Sequence, residues 1–219
     1  MCGKTTRVFF IVLCGFVPCC MAGDAFAIVK KTTGTVSVRI GQAPAWKTCA
    51  PAMKLKECDA VSTMKKSDCD IMLPDSSVVR LDEKTTLELL VLKTFGAGVW
   101  STKIKLSSGT AIVQLKQPLS LESVFELELP TATIGVYSGV IGFDIDAERS
   151  VVKVYSGKAV VTPAGNAAGV VMTDNQKTSV AKGQMLVLVE SVDKKEADNV
   201  LADTIRINTP AVLDTEECK

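Results

Sequence analysis

Residues 150–162 read SVVKVYSGKAVVT, and their pattern decides the fold class. Ser150–Tyr155 and Ala159–Thr162 are short runs in which apolar and polar side chains alternate, rich in β-branched Val and Thr. Alternation with a period of two places one side of a run in a core and the other in solvent, as a strand requires. Between them Ser156-Gly157 is turn chemistry, so the stretch reads as two strands of a hairpin. The same reading extends in both directions. Upstream it gives runs at 27–31, 35–40, 60–63, 70–73, 78–81, 86–92, 101–106, 111–115, 123–129 and 142–145. Downstream it gives 170–173 and 185–189. Thr33-Gly34, Pro74-Asp75, Ser108-Gly109 and Lys182-Gly183 punctuate them. Lys93–Trp100, KTFGAGVW, reads as a hairpin tip or loop. No sustained helical period interrupts the series. Many short, regularly spaced strands predict an all-β domain, an antiparallel sandwich or roll with solenoid-like character.

The one helical pattern lies in the more polar tail. Within 194–206, Ala197, Val200, Leu201 and Ile205 recur at helical spacing, predicting one short amphipathic helix packed on the β domain. Thr209-Pro210 would end it.

The chain has 219 residues, 47% hydrophobic and 22% charged, enough to bury a substantial core. Lys+Arg total 25 and Asp+Glu 24, so the net charge of +1 provides no field for nucleic acid or anionic lipid. His is 0, which removes imidazole bases, Ser-His-Asp and Cys-His nucleophiles, and His metal ligands.

Residues 1–27 read as a secretory signal peptide. Lys4 and Arg7 precede an uncharged apolar run over 8–22, and Ala25-Phe26-Ala27 is a small-x-small cleavage site before Ile28. Gly15 and Pro18 interrupt a run already short for a membrane span of ~20 residues. A retained anchor, or lipidation at Cys19 or Cys20, are the alternatives. The organisation expected is therefore a leader at 1–27, a β domain at 28–190 and a helix with tail at 191–219. Cleavage leaves Cys49, Cys58, Cys69 and Cys218, an even number in an exported chain, which suggests disulfides rather than a metal site.

The order of these runs resembles the FecR domain family of bacterial envelope proteins, over roughly 28–189. Gly34-Thr35-Val36-Ser37-Val38 is like an opening "G-x-V-x-V" strand. Leu55–Thr63 is similar to "L-x-x-G-D-x-I-x-T", with Cys58 at the glycine and Asp59 at the aspartate. Asp68-Cys69 falls where "D-S" is usual, and Leu73–Leu81 resembles "L-x-D-G-S-x-x-x-L". Thr86-Leu87-Glu88-Leu89, Phe125–Ala132, Val152–Val161 and Gly183-Gln184 continue the series. The family's "G-V-R-G-T-x-F" stands here as a longer stretch, Gly135–Phe143, with Tyr137 in place of the Arg. The resemblance implies a stand-alone exported FecR-like domain that contacts another envelope protein. Cysteines at a turn Gly and a turn Ser of one pattern suggest a Cys58–Cys69 bridge, with 59–63 and 68–73 paired as a hairpin. Cys49 would then be free or joined to Cys218; Cys49 with Cys58 or Cys69 is the competing pairing.

Candidate chemistry is sparse. Asp144 and Asp146 lie two apart on a strand, as do Asp68 and Asp70, which a glycosidase could use but a solvated strand face explains better. No calcium-loop or dinucleotide-binding pattern occurs. No enzyme, cofactor or metal site is expected. Trp46, Phe95, Trp100 and Tyr137 are the candidate binding residues, since aromatics in or beside loops anchor protein partners or stack on sugars. The expected function is a non-catalytic periplasmic or extracellular binding or sensing module; the alternative is a carbohydrate-binding domain for wall or surface polysaccharide using Trp46 and Trp100.

Overall fold

The computed structural model describes residues 23–95, 98–116, 120, 122–166, 168–184 and 188–208. In chain order the strands are β1 (Gly23–Asp24), β2 (Ala27–Thr33), β3 (Val36–Arg39), β4 (Lys47–Thr48), β5 (Lys54–Leu55), β6 (Ala60–Thr63), β7 (Asp68–Met72) and β8 (Val78–Leu81). There follow β9 (Thr86–Phe95), β10 (Val99–Leu115), β11 (Val124–Glu128), β12 (Ala132–Ile145), β13 (Arg149–Pro163), β14 (Val170–Met172), β15 (Gln176–Ala181) and β16 (Val189–Ser191). A single helix, α1 (Lys194–Asn208), closes the described chain. The strands join one hydrogen-bonded network, antiparallel except where β10 runs parallel to β11.

Three long strands fold this network around one core. In β10 the buried positions are Thr102, Ile104 and Leu106, then Ala111, Val113 and Leu115. The parity of the inward positions switches from even to odd. Gly109, at φ 93, sits at the switch, beside a register shift between Leu106 and Ser108. β12 switches likewise, from Ile134 and Val136 to Ile141 and Phe143, around Gly139. β13 switches from Val152 and Val154 to Ala159 and Val161, around Gly157. An extra residue in an alternating strand exchanges its two faces, and each bulge bends its strand so that both halves keep their apolar side inward. One half joins β8, β7 and β2, while the other joins β9, β6 and β3. The expected all-β class is thus observed, as one large mixed sheet with a single C-terminal helix. Ser108-Gly109 and Ser156-Gly157, read as hairpin turns, are instead corners inside continuous strands.

Backbone and side chains tie the corners together. A Cβ on Gly139 would lie 1.9 Å from the Ser156 carbonyl oxygen, and one on Gly157 2.1 Å from that of Ser138. Thr85, fully buried, accepts from the Thr110 amide through Oγ1 at 3.0 Å and donates back to the Thr110 carbonyl at 2.9 Å. Thr63 Oγ1 accepts the Thr85 amide at 3.0 Å.

The turn motifs perform as their residue types require. Cys58 and Ser76 stand where the resembled pattern has glycine, and both have positive φ, 67° each. Buried Asp59 accepts the amides of Gly41 and Lys56 at 2.8 Å each. Asp75 accepts both the amide and the hydroxyl of Ser77. Gln184 closes the turn at Gly183 by accepting the Ala181 amide. Such a side-chain acceptor replaces the backbone partner that a turn removes.

One expectation is corrected. The hairpin expected between 59–63 and 68–73 does not form: β6 pairs with β3 and β9, and β7 with β2 and β8. The stretch 132–140, left unassigned in the sequence, is the first half of β12. The first run expected, 27–31, is β2, whose opening residue Ala27 is fully buried opposite Leu55. The helix follows the predicted span. Asp193 caps it, accepting from Lys195 and Glu196 amides at 2.9 and 3.2 Å. The side chain of Ile205 lies outside the described set, as do residues 1–22 and 209–219.

Candidate binding surface

Tyr137 is the extra residue of the bulge in β12. Against β13, Val136 pairs with Ala159 and Ser138 with Lys158, which leaves Tyr137 unpaired. A bulge re-aims such a side chain, and the Tyr137 ring stands 51% exposed on the outer face. Its edge passes 3.7 Å from where a Cβ on Gly135 would be, and the Lys158 ammonium lies 5.8 Å from its ring centroid. The absence of a side chain at Gly135 leaves a groove of about 280 Å³ beside the ring, walled by Val124, Thr133, Val160 and Thr162. Val124 and Val171 on the same part of the sheet are 51% and 53% exposed. A charged band borders this face: Lys103 binds Glu126 at 2.8 Å and Glu128 at 3.7 Å, and Lys105 binds Glu128 at 3.6 Å. Exposed apolar residues rimmed by charge have the anatomy of an interaction surface.

The other aromatics are elsewhere. Trp100 is half-buried at the start of β10, opposite Thr94, and its amide donates to Ser123 Oγ at 3.2 Å. It lines a separate cleft of about 300 Å³ with Phe26, Ile28, Leu73 and Pro74. Phe95, opposite Val99, ends β9 half-buried in the same hairpin. Trp46 is 42% exposed but stacked under the Arg39 guanidinium, 5.5 Å from the ring centroid. The two tryptophans proposed for sugar stacking therefore share no groove.

Helix α1 covers part of the outer face formed by β8, β10, β12 and β13. Tyr155 lies over Gly142, where a Cβ would meet its ring at 2.7 Å, and packs with Val140, Val192 and Ala197. Lys153 Nζ binds Glu196 at 2.8 Å and Asp144 at 3.1 Å, while the Tyr155 hydroxyl donates to Glu196 at 3.0 Å. Burial lowers the proton affinity of Lys153, but the bonds to Glu196 and Asp144 outweigh it, so its pKa lies above the ordinary lysine range. Burial first, then the Glu196 charge, raises that of Tyr155. Between helix and sheet, Arg80, Asp82, Gln114 and Asp203 line a pocket of about 170 Å³. Arg80 Nε binds buried Asp70 at 2.9 Å, and burial raises the pKa of Asp82.

The carboxylates of the two pairs are engaged within the fold. Asp144 is held by Lys153 and Thr110, Asp146 accepts the Glu148 and Arg149 amides of its turn, and Asp70 holds Arg80. Among the described residues no three His, Cys, Asp or Glu side chains converge to hold a metal.

Cys49, Cys58 and Cys69 are free thiols. Cys58 is exposed on its turn, whereas Cys49 and Cys69 are buried in the same core cluster. The Cys49 and Cys69 thiols interact, which holds Cys49 below and, together with burial, Cys69 well above the ordinary thiol range. Of the sequence alternatives, the structure brings Cys69 to Cys49. Cys218 lies outside the described residues.

Comparison with known proteins places this geometry. Residues 59–160 match the family described as FecR protein, a span that includes Tyr137, Gly135, Val124 and Lys158. No curated protein matches the chain. Two crystal structures of a protein described as a "putative anti-sigma factor" from Parabacteroides distasonis share the fold. They do so at TM-score 0.51, with 17% and 18% identity over 65% of this chain. The match spans 64% and 63% of those chains, less than two thirds of their length. No described helix is long and apolar enough to cross a membrane.

Proposed function

We infer that this chain, which carries a FecR domain over residues 59–160, is a non-catalytic regulatory or sensing module of the cell envelope that acts by binding another envelope protein. The observation that carries the reading is the Tyr137 groove. It lies inside the family segment, at the position where the resembled pattern has Arg, and a bulge sets its aromatic ring outward. A partner side chain that is aliphatic or aromatic fits over Gly135, between Tyr137 and Val124. Tyrosine is favoured in such a place because its large face is stiff and its hydroxyl tolerates water. The export pattern in the leader and the envelope association of the family support the location.

The test is affinity enrichment from envelope extract with the wild-type domain and with Tyr137→Asp. The expected result is an envelope protein retained by the first and lost by the second, with unchanged thermal unfolding. Equal retention by both would reject the groove. Saturable binding of a purified glycan, with no protein partner, would reject the protein-binding reading.

A further inference from the structure

We propose that the partner engages this surface by strand addition: an extended, uncharged segment of the partner pairs with the open edge of β14, beside the Tyr137 groove. The inference rests on the protein-binding reading above and names the form in which the partner arrives.

β14 is an edge strand. It pairs with β13 through Ala159, Val160 and Val161, and with no other strand among the described residues. A strand paired on one side directs its remaining N–H and C=O groups outward, and another extended backbone satisfies them as a row. Edges are ordinarily blunted by charge, because a charged side chain loses hydration when a second strand covers it. The other strands with a single partner among the described residues follow that rule. β1 carries Asp24, β4 Lys47, β5 Lys54 and β16 Glu190. β14 does not: it is Val170-Val171-Met172, and no charged residue occurs between Lys158 and Asp174. Met172 is buried in the core and anchors the strand, while Val171 faces outward, 53% exposed.

The edge is continuous with the groove. Gly135 pairs with Val160 and Val160 with Val171, so the three lie in one row across the outer face. Gly169, which leads into β14, is pressed against the same wall: a Cβ there would lie 2.5 Å from Val160 Cγ1 and 2.6 Å from Thr162 Oγ1, both of which belong to residues lining the groove. An added strand lies three strand spacings, about 14 Å, from the Gly135 row. One partner domain therefore spans both features, with its strand on β14 and an apolar side chain over Gly135. The bare edge also sets the chemistry of the segment. It places β-branched or other apolar residues opposite Val171, and no Lys, Asp or Glu there.

The experiment extends the envelope enrichment to the full chain as wild type, Val171→Lys, Val171→Thr and Val189→Lys, and follows the purified wild-type complex by hydrogen exchange. Val189, 38% exposed on the edge strand β16, is the control position. The expected result is an envelope protein retained by wild type, Val171→Thr and Val189→Lys, and weakened about tenfold or more by Val171→Lys with unchanged thermal unfolding. In the complex, at least one amide among Val170, Val171 and Met172 exchanges about tenfold or more slowly than in the free chain. The exchange measurement needs no substitution, so it decides the matter even where Val171→Lys fails to fold. Undiminished retention by Val171→Lys, or unchanged exchange at 170–172, would overturn strand addition and leave the Tyr137 reading standing. A second copy of this chain on β14 in place of an envelope protein would overturn the occupant named here. No protein retained by any form would overturn the protein-binding reading itself.

Discussion

Replacing Gly139 by Ala tests the corner account at its tightest point. The residue has φ 92°, and its new Cβ would sit 1.9 Å from the Ser156 carbonyl oxygen, 2.5 Å from the Ser156 carbonyl carbon and 2.7 Å from Gly157 Cα. All three are backbone atoms, so no side chain can rotate away. Two costs add. The left-handed conformation costs an L-residue about 1–2 kcal/mol, and forcing apart packed backbone costs about 1–3 kcal/mol, as overpacking does. The sum, roughly 2–5 kcal/mol, is a large part of the ~5–15 kcal/mol that holds a domain together. Gly183→Ala is the control: its φ is 75°, but nothing lies within 4 Å of the added methyl, so only the conformational cost of about 1–2 kcal/mol applies. Urea unfolding followed by tryptophan fluorescence and circular dichroism measures both, and their difference isolates the close approach of β12 and β13. Two variants destabilised within about 0.5 kcal/mol of each other, the additivity noise of such measurements, would refute the corner packing.

Other consequences are equally direct. Asp59→Ala removes the acceptor of the Gly41 and Lys56 amides, two part-buried bonds to a charged group, so a loss of about 1–3 kcal/mol is expected in the same unfolding assay. Lys153 and Tyr155 both have raised pKa values in the fold, so they bind their protons more tightly folded than unfolded. Their stabilisation is complete below the ordinary values of about 10.4 and 10 and is lost as pH rises through the folded values. Alkaline titration of the wild type should lose stability in that range, and Lys153→Met should flatten the lysine part of the dependence. Asp82 is also raised, so its stabilising contribution is present below its ordinary pKa and lost as pH rises through the folded value. Asp82→Asn should therefore raise stability at neutral pH, as measured by thermal unfolding. Site-resolved maleimide mapping should label Cys58 in the native protein and Cys49 and Cys69 only on unfolding. A Cys58–Cys69 peptide recovered from oxidised protein would contradict the arrangement.

Strand composition and turn chemistry were readable in the sequence because they are local. The turn of Asp59 with Lys56, that of Asp75 with Ser77, the turn at Gly183 and the helix at 194–206 each follow from residue types within a few positions. The corners were not readable as such, because Ser-Gly inside a bent strand looks the same as Ser-Gly at a hairpin. The distinguishing signal is the parity of apolar residues, which holds through a simple alternating strand and shifts across Gly109 and Gly157. The first half of β12 was hidden by Gly135 and Gly139, whose roles are a groove floor and a corner. Tyr137 was visible as an aromatic departure from the resembled motif. Its groove depends on the parallel approach of β11 to β10 and on a bulge against β13, both set by residues distant in sequence. For the same reason the Cys49–Cys69 contact could not be selected from spacing.

The central claim is that the face around Tyr137 is the one that meets a partner. A photocrosslinking amino acid placed at 137, and separately at Trp46, in the full chain expressed in its own envelope tests it most directly. The account predicts a discrete adduct with an envelope protein from position 137, abolished by Val124→Asp, and none from position 46, where the ring is stacked under Arg39. An adduct from position 46 with none from 137 would contradict it.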